Sequence, residues 1–315
     1  MYTRDGLNNL ADQLDSAKLG EADEIQFPNL LGKPYSEPVN LGRVINIMAG
    51  VKTIMCVPRL HERRFLVELT NHSHVASSTY HLYYKPIQEL VAGAAVPVGP
   101  SEEMPVIYAP MQLDCVTEHQ DEETGAGWRG AIRIDFPQSI SEVEIGTFLL
   151  DEKERWERGP HGSQLIKTIR RTTKLPTIKR IVAFESGSMT WRVPNQKRAT
   201  VHLGLVLLLR RLFCQLQGMS ALKDLETFVQ DPTYTTRDKS VLRQMGLKVV
   251  DDPNGFLAID EETVVISIMP KKPVRQIVAD IAKPAMMVWA KVPDTPLPEA
   301  SCHGMDGFES TLNVP

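Results

Sequence analysis

Residues 178–184 read IKRIVAF, an apolar run that stops in a turn of small residues, Glu185-Ser186-Gly187-Ser188. Further runs of this kind occur at 225–229, 248–250, 263–269 and 286–290. Between them the apolar spacing changes to that of helices, at 197–213, 236–245 and 274–282. Strands that are apolar on both faces and alternate with helices are typical of parallel sheets buried on both sides. The sequence therefore predicts an α/β fold over residues 151–292: a Rossmann-like parallel sheet with helices on both faces.

The first half of the chain shows a different pattern. Residues 1–40 carry few apolar positions and predict a partly ordered arm. Residues 41–150 predict an N-terminal β-rich elaboration, with a polar loop at 118–127 and short strand-like runs at 64–69, 78–84, 105–108 and 128–136. A helical segment is expected over 151–176, where Pro176 ends it. The proline-rich residues 293–315 predict a loose tail.

Composition narrows the class of protein. The 315 residues show no apolar run of the roughly 18–20 residues that a membrane span needs, because Arg210 and Arg211 interrupt the longest candidate. The first residues lack the apolar core of a secretion signal. The four cysteines have no spacing typical of a zinc site. We therefore expect a cytoplasmic protein with reduced thiols, no bound metal and no contact with a membrane, and the sequence indicates no oligomeric state.

Positive charge is concentrated in one segment of this chain, whose net charge is −4. Thirteen of its 35 lysine and arginine residues lie between Arg158 and Lys223, with a single acidic residue, Glu185, among them. A basic segment in an acidic protein indicates a polyanionic partner that binds at one place. The alternative is a solvated basic face that acidic neighbours balance in the folded protein.

Ligands of open parallel sheets bind beyond the carboxyl ends of the strands, and this rule selects the loops 185–188, 230–234, 251–252 and 269–273. In the first loop, Ser186 or Ser188 can be a nucleophile or simply a turn or cap residue. Glu185 ends an otherwise apolar strand. It can bind a cationic ligand group such as a guanidinium, or pair with a local base such as Lys271 or Arg192.

The other loops also allow two interpretations. Turn formation explains the Asp231-Pro232 pair and the Asp251-Asp252 pair, while Tyr234 can also stack on a ligand or hydrogen-bond to it. Lys271 and Lys272 lie between two prolines and can bind an anion or form a solvated loop. His202 lies inside an apolar helix and is interpreted as a hydrogen-bonded core residue. The sequence contains no GxGxxG, GxxxxGK[ST] or GxSxG motif, so dinucleotide, P-loop and triad hydrolase functions have no direct support.

Residues 150–292 resemble the sensitivity-to-red-light-reduced (SRR-like) domain family, and its fungal branch in particular. The similarity is carried by Gly187-Ser188, Asp231-Pro232 with Tyr234, Asp251-Asp252-Pro253 with Gly255-Phe256, and Pro270 with Pro273-Val274. At one position the chain departs from the family, because Glu185 stands where a small or apolar residue is usual. Asp251-Asp252 is followed by Pro253-Asn254-Gly255, whereas the similar synthases carry an acidic DDxxE pattern.

The resemblance implies either a regulatory role or, through fungal members similar to arginine-containing cyclodipeptide synthases, an aminoacyltransferase of secondary metabolism. In the enzyme hypothesis Ser188 or Ser186 accepts the first aminoacyl group, and Tyr234 positions the amine or relays its proton. Substrate binding then falls to Glu185, Asp231, Asp251, Asp252 and Lys271. The acceptor stem of an aminoacyl-tRNA would bind six basic residues: Lys167, Arg170, Arg171, Lys174, Lys179 and Arg180. Esters on tRNA are already activated, so no cofactor is expected.

A non-catalytic regulatory or binding protein is the alternative hypothesis. The four loops would then form a crevice for a small molecule or a protein, and Glu185 would have no special role. Nucleotide-dependent transferase or hydrolase chemistry is a third hypothesis, which the missing phosphate loop makes the weakest, since a fold alone does not imply a function.

Overall fold

The described part of the N-terminal region contains helix α1 and antiparallel strands. The structure, a computed structural model, describes residues 2–19, 21–22, 24–27 and 35–38, short segments between 44 and 134, and residues 140–172, 176–190, 195–220, 222–268, 270 and 272–290. Helix α1 spans Arg4–Lys18. Two pairs of strands are β1 (Glu24–Phe27) with β2 (Tyr35–Pro38) and β4 (Thr53–Met55) with β5 (Phe65–Val67). A five-stranded sheet has the order β3-β6-β7-β8-β9, with bounds Val44–Ile47, His74–Tyr84, Met111–Asp121, Gly127–Arg129 and Ile132–Ile134.

Several N-terminal predictions need correction. Helix α1 occupies part of the predicted arm and buries Leu7, Leu10 and Leu14. The predicted loop at 118–127 begins as strand, because β7 continues to Asp121 and pairs there with β6 along the whole ladder. The run at 128–136 is divided between β8 and β9, which pair with each other as a hairpin. The run at 105–108 and the tail at 293–315 lie outside the described residues.

The second half of the chain alternates helices and strands as predicted. Its helices are α2 (Glu142–Arg158), α3 (Pro160–Arg171), α4 (Asn195–Leu216), α5 (Thr236–Gln244), α6 (Asn254–Leu257) and α7 (Val274–Ile281). Its strands are β10 (Arg180–Phe184), β11 (Glu226–Gln230), β12 (Lys248–Val249), β13 (Thr263–Ser267) and β14 (Met286–Trp289). The predicted helix at 151–176 is instead the pair α2 and α3, which meet at Gly159, and Pro160 occupies the first turn of α3.

All five strands of this sheet are parallel, in the order β12-β11-β10-β13-β14. Counted along the chain, the order is 3-2-1-4-5, which is that of a doubly wound Rossmann-like sheet. The predicted fold class is therefore confirmed. Strand β10 lies at the centre, between β11 and β13.

Each face of the sheet belongs to a separate hydrophobic cluster. Ile181 and Ala183 point to the face covered by α2, α3, α4 and α5. Val182 and Phe184 point to the opposite face, which is covered by α1, α6, α7 and parts of β1, β6 and β7. This alternation within one strand explains why residues 181–184 are all apolar. The N-terminal region thus supplies much of the second cover of the sheet.

Helix α4 is the longest apolar element. Of the described helices, it alone is long and apolar enough to cross a membrane, over Gln196–Leu216, and 78% of its most apolar window is buried inside the fold. The helix predicted at 197–213 is thus close to the observed one, and Arg210 and Arg211 interrupt its apolar run without ending it. The Arg210 guanidinium is buried and donates hydrogen bonds to the carbonyls of Leu222 (3.2 Å) and Met245 (3.0 Å).

Candidate functional site

The strand order defines where a ligand can bind. Strand β10 leads into α4 on one face of the sheet, whereas the neighbouring β13 leads into α7 on the other face. The two connections diverge at the carboxyl ends of these strands and leave a crevice between them. Residues 185–188 and the described part of the loop 268–273 lie at this crevice, next to the loops that follow β11 and β12.

Glu185 adopts an unusual backbone conformation at the end of β10. Its φ angle is 56°, the left-handed region that non-glycine residues rarely occupy, and it is the only described non-glycine residue with a positive φ. Its amide still donates to the carbonyl of Gln230 at 3.2 Å, so the ladder with β11 extends to this residue. Such a conformation at a strand end is a reason to expect a functional role for the side chain.

Ser186 and Tyr234 form a buried pair across the two loops. The Ser186 Oγ lies 2.5 Å from the Tyr234 hydroxyl oxygen, and the two residues are 1% and 6% exposed. Burial, together with the negative charges of Asp231, Asp238 and Glu185, raises the pKa of Tyr234 well above its usual value, although its hydrogen bond to Ser186 opposes the shift. The phenol therefore stays protonated and can pass a proton to or from Ser186.

Ser188 belongs to a different network. Its Oγ donates to Asp238 Oδ2 at 2.6 Å and lies 2.8 Å from Thr190 Oγ1. Asp238 also accepts from the amide of Met189 and from the amide and hydroxyl of Thr235, with which it forms the capping box of α5. Burial raises the pKa of Asp238, and these hydrogen bonds oppose that shift. The network ties the loop after β10 to the start of α5.

Asp238 was not among the predicted site residues. The sequence signal was present, since Thr235 and Asp238 have the spacing of a capping box ahead of an apolar run. What the sequence does not show is that the same carboxylate reaches Ser188, fifty residues earlier.

Asp231 is a second clamp between loops. One carboxylate oxygen accepts from the amide and hydroxyl of Thr233, at 2.8 and 2.6 Å, and forms the turn that the Asp-Pro sequence predicts. The other accepts from the amide of Gly187 at 2.6 Å. Gly187 has a φ of 87°, which a residue with a Cβ adopts only with strain. Asp231 thereby holds the turn that carries Ser186 and Ser188.

The two aspartates after β12 have separate surroundings. Asp251 is exposed and lies 3.7 Å from the Lys239 ammonium. Asp252 is largely buried, pairs through Oδ2 with the Lys272 ammonium and accepts through Oδ1 from the Tyr84 hydroxyl at 2.6 Å. The predicted cation of the proline-flanked loop, Lys271, lies outside the described residues, so the cation seen at the site is its neighbour Lys272.

The predicted basic residues do not all meet at the crevice. Lys179 and Arg180 lie at the opposite edge, where β10 begins, and pair with Glu262 and with Glu226 and Asp260, respectively. Three others, Lys167, Arg170 and Arg171, are exposed on α3, and Lys174 lies outside the described residues. Lys197 and Arg198, which begin α4, are exposed, and the Arg198 guanidinium lies 3.5 Å from the carbonyl of Ile268 at the crevice.

Three side chains have buried polar atoms without a hydrogen-bond partner among the described residues: Gln196 (at Nε2), His202 and Ser267. His202 is buried as predicted, but within the described residues neither ring nitrogen has the hydrogen bond that the prediction expected. Burial and the charge of Arg198 lower the pKa of His202 to about 4. The Ser267 hydroxyl, at the carboxyl end of β13, is likewise unpartnered. No group of three possible metal ligands occurs within the described part of the chain.

The fold and the site together define a Rossmann-like α/β protein with an acid-rich crevice at its switch point. Residues 163–295 match the family model of the SRR1 domain. This match supports the resemblance seen in the sequence, and it includes all five parallel strands and the four loops selected above. No curated protein matches the chain in sequence.

Proposed function

We propose that this chain is an aminoacyltransferase, a cyclodipeptide synthase that condenses two aminoacyl groups delivered by tRNA, one of them arginyl. The observation that carries the proposal is the buried Ser186–Tyr234 pair at the carboxyl edge of β10. A hydroxyl with a proton relay at this edge, next to Glu185, has the parts that acyl transfer from an ester needs.

Ser186 is the better candidate for the nucleophile. Ser188 Oγ is engaged by Asp238 and Thr190 and accepts from the Thr190 amide at 3.2 Å, so it serves to fix the loop. Ser186 Oγ has the Tyr234 hydroxyl as its hydrogen-bond partner. Because Ser186 is 1% exposed, the loop must move slightly for an ester to reach it.

The proposed reaction needs no oxidant or cofactor. Ser186 Oγ attacks the ester carbonyl of the first aminoacyl-tRNA; the new Oγ–C bond replaces the C–O bond to the ribose, and the serine proton passes through Tyr234 to the leaving oxygen. The amine of the second aminoacyl-tRNA attacks the seryl ester, forms a peptide bond and returns the proton to Ser186. The free amine of the first residue then attacks the remaining tRNA ester, which closes the cyclic dipeptide and releases the second tRNA.

The charge of the crevice supports a cationic substrate group. Glu185, Asp231 and Asp252 are close enough to Lys272 for all three to raise its pKa. Within the described residues, three carboxylates therefore lie near one buried cation, the Lys272 ammonium. An anionic phosphate would be repelled here, whereas a guanidinium gains favourable interactions, with Glu185 as its proposed partner.

The tRNA is proposed to approach the crevice over Lys197 and Arg198. These two exposed residues lie at the start of α4, on the crevice side of the sheet, whereas Lys179 and Arg180 lie at the far edge. The exposed basic residues of α3 add charge for the acceptor stem.

The test is mass spectrometry of small molecules formed from total aminoacyl-tRNA, with and without ribonuclease. We expect an arginine-containing cyclic dipeptide that disappears with ribonuclease and with Ser186→Ala, while Ser188→Ala retains product in proportion to folded protein. Thermal unfolding of both variants controls for damage to the loop. Product formation that survives both substitutions contradicts a seryl intermediate.

The alternative is a non-catalytic binding protein, which the burial of both serines favours: they are 1% and 3% exposed. In that case the crevice binds a ligand without reaction. The absence of any product, combined with no tRNA binding at low salt, would decide for this alternative.

A further inference from the structure

Tyr84 enters the crevice from a distant part of the chain. It is the last residue of β6, lies outside the segment matched by the SRR1 domain, and is 168 positions from Asp252, to which its hydroxyl donates at 2.6 Å. The side chain is 1% exposed, so this contact is shielded from water.

Tyr84 contacts both members of the Asp252–Lys272 pair. Its hydroxyl binds Oδ1 of Asp252, while Oδ2 of the same carboxylate pairs with the Lys272 ammonium. The ammonium also lies 5.2 Å from the centroid of the Tyr84 ring, within the range of a cation–π contact. The side chains of Asp252 and Lys272 are only 11% and 12% exposed, so the three groups form one buried unit.

Lys272 and Tyr84 each keep one protonation state near neutral pH. Burial alone would lower the pKa of Lys272, but Asp252, Glu185 and Asp231 outweigh it, and the pKa is raised. Burial and Asp252 raise the pKa of Tyr84 well above its usual value, so its hydroxyl remains a donor. Lys272 is therefore a permanent cation and not a general base.

The same tyrosine also packs behind the turn after β10. Its ring meets the edge of Phe256 at 5.5 Å between centroids, and Phe256 stacks on Phe184 at 4.4 Å. Phe184 directly precedes Glu185. The N-terminal region thus supports the crevice through a hydrogen bond on one side and through aromatic packing on the other.

We propose that Tyr84 is a positioning residue which, through Asp252, fixes the Lys272 ammonium at the carboxyl edge of the sheet, so that the crevice is complete only when the N-terminal region is in place. A cation held there can bind a neutral oxygen of the ligand, such as an ester carbonyl. The inference concerns the geometry of Lys272 and holds whether or not the protein is a transferase.

The test is acetylation of the lysines of the full-length protein with acetic anhydride at pH 8, followed by mass spectrometry of the peptides. Lys167, exposed on α3, is the internal standard. Tyr84→Phe keeps the ring and removes only the hydroxyl. We expect the labelling of Lys272 relative to Lys167 to rise roughly tenfold, because one hydrogen bond to a buried carboxylate is lost and the ion pair loosens.

A double-mutant cycle separates positioning from general destabilisation. Asp252→Asn should raise Lys272 labelling by itself, and adding Tyr84→Phe to it should have little further effect. Tyr2→Phe is the matched control, since its ring packs against Tyr84 at 5.9 Å between centroids, and it should leave Lys272 unchanged. Unchanged Lys272 labelling in Tyr84→Phe, with raised labelling in Asp252→Asn, overturns the proposal.

A second measurement serves if Tyr84→Phe does not fold. In the wild-type protein the Tyr84 hydroxyl proton should exchange slowly enough with water to be observed by NMR with labelled tyrosine. Fast exchange of that proton would show that the bond to Asp252 is not maintained and would equally overturn the proposal. Neither experiment depends on product formation from aminoacyl-tRNA.

Discussion

Glu185 combines a strained backbone with an acidic side chain at the mouth of the crevice. A left-handed conformation costs a non-glycine residue roughly 1–2 kcal/mol, and surrounding structure must compensate for it. The hydrogen bonds of the neighbouring turn to Asp231 and Asp238 are the compensation that the structure shows. Local stability favours glycine at this position, whereas the chain has glutamate. A functional role for the carboxylate is the simplest explanation of this difference.

The first prediction compares Glu185→Gly with Glu185→Ala. Both variants lack the carboxylate, so the difference between their free energies of unfolding reports only the backbone strain at position 185. We expect the glycine variant to be the more stable by about 1 kcal/mol in urea unfolding, because only glycine adopts this φ without strain. Both variants should lose arginine-dependent product. Equal stability of the two would mean that the turn relaxes when the side chain is removed.

The sequence identified most residues of the crevice but not their partners. Glu185, Ser186, Asp231, Tyr234 and Asp252 follow from one rule about parallel strands, since the carboxyl ends of the strands can be read from the apolar runs. The contact from Tyr84 could not be predicted, because it joins a strand of another sheet to a loop 168 residues away. The sequence also could not show that Lys272 pairs with Asp252. The direction in which each of two adjacent lysine side chains points in a loop cannot be read from the sequence.

At the scale of elements, α4 carries two buried basic side chains in an otherwise apolar helix. His202 has no hydrogen-bond partner within the described residues, whereas Arg210 has two carbonyl partners. Both follow the same rule that buried polar groups cost stability unless paired. We therefore expect removal of the unpaired His202 ring to reduce the loss of stability in acid, and removal of the paired Arg210 guanidinium to destabilise the protein.

His202→Leu should reduce the loss of stability in acid. The pKa of this histidine is lowered from 6.5 to about 4 by burial, so the folded protein keeps it neutral while the unfolded chain protonates it. Its stability contribution is full above pH 6.5 and is lost as the pH falls toward 4, by up to about 3 kcal/mol. Unfolding in urea between pH 7 and pH 4 should show a smaller decline for His202→Leu than for wild type.

The control for this pH dependence is the exposed His161 on α3. His161→Gln should follow the wild-type curve. If the His202→Leu curve is parallel to that of wild type, the histidine is not buried as a neutral ring and the assignment is wrong.

Arg210→Met should destabilise the protein by about 1–3 kcal/mol, because the carbonyls of Leu222 and Met245 lose the donor that the buried guanidinium supplies. The neighbouring Arg211 is the matched control: its side chain is 50% exposed and pairs with Glu157 at 2.9 Å. Arg211→Met should cost less than about 1 kcal/mol, the usual value of an exposed ion pair. Chemical denaturation of both variants distinguishes a buried structural arginine from a surface charge.

Helix α1 shows how a sequence signal can be overlooked. Leu7, Leu10, Leu14 and Ala17 have helical spacing and are all buried, and Thr3 caps the first turn. These positions are few and the rest of the segment is polar, so the composition suggested an arm. A narrow apolar stripe is sufficient to dock α1, because only one side of the helix packs against the hydrophobic cluster on that face of the sheet.

For the whole molecule, charge is distributed between the two edges of the central sheet. At the amino edge, Lys179, Arg180 and Lys248 are paired with acidic residues. At the carboxyl edge, Lys197 and Arg198 are exposed beside the crevice. The basic segment seen in the sequence is thus divided between the two edges of the sheet, which a linear count of charges cannot show.

Two double variants test this division. Lys197→Gln with Arg198→Gln should weaken tRNA binding roughly tenfold. The slope of the logarithm of the binding constant against the logarithm of the salt concentration should become shallower by the amount expected for the loss of about two phosphate contacts. Lys179→Gln with Arg180→Gln removes the same charge, but should mainly lower stability. Fluorescence anisotropy with labelled tRNA between 50 and 200 mM KCl measures both. A larger effect on binding from the second variant would place the nucleic acid at the amino edge.

The docking of α1 has a consequence for how the chain folds. The amide of Tyr2 donates to Asp280, and the Arg4 guanidinium donates to the carbonyls of Leu257 and Ile259. These docking contacts join residues that are 253 to 278 positions apart along the chain. Loop closure over this distance is slow, so α1 gains this part of its cover late in folding. In refolding experiments we therefore expect α1 to gain protection from hydrogen exchange later than the helices that pack on the other face of the sheet.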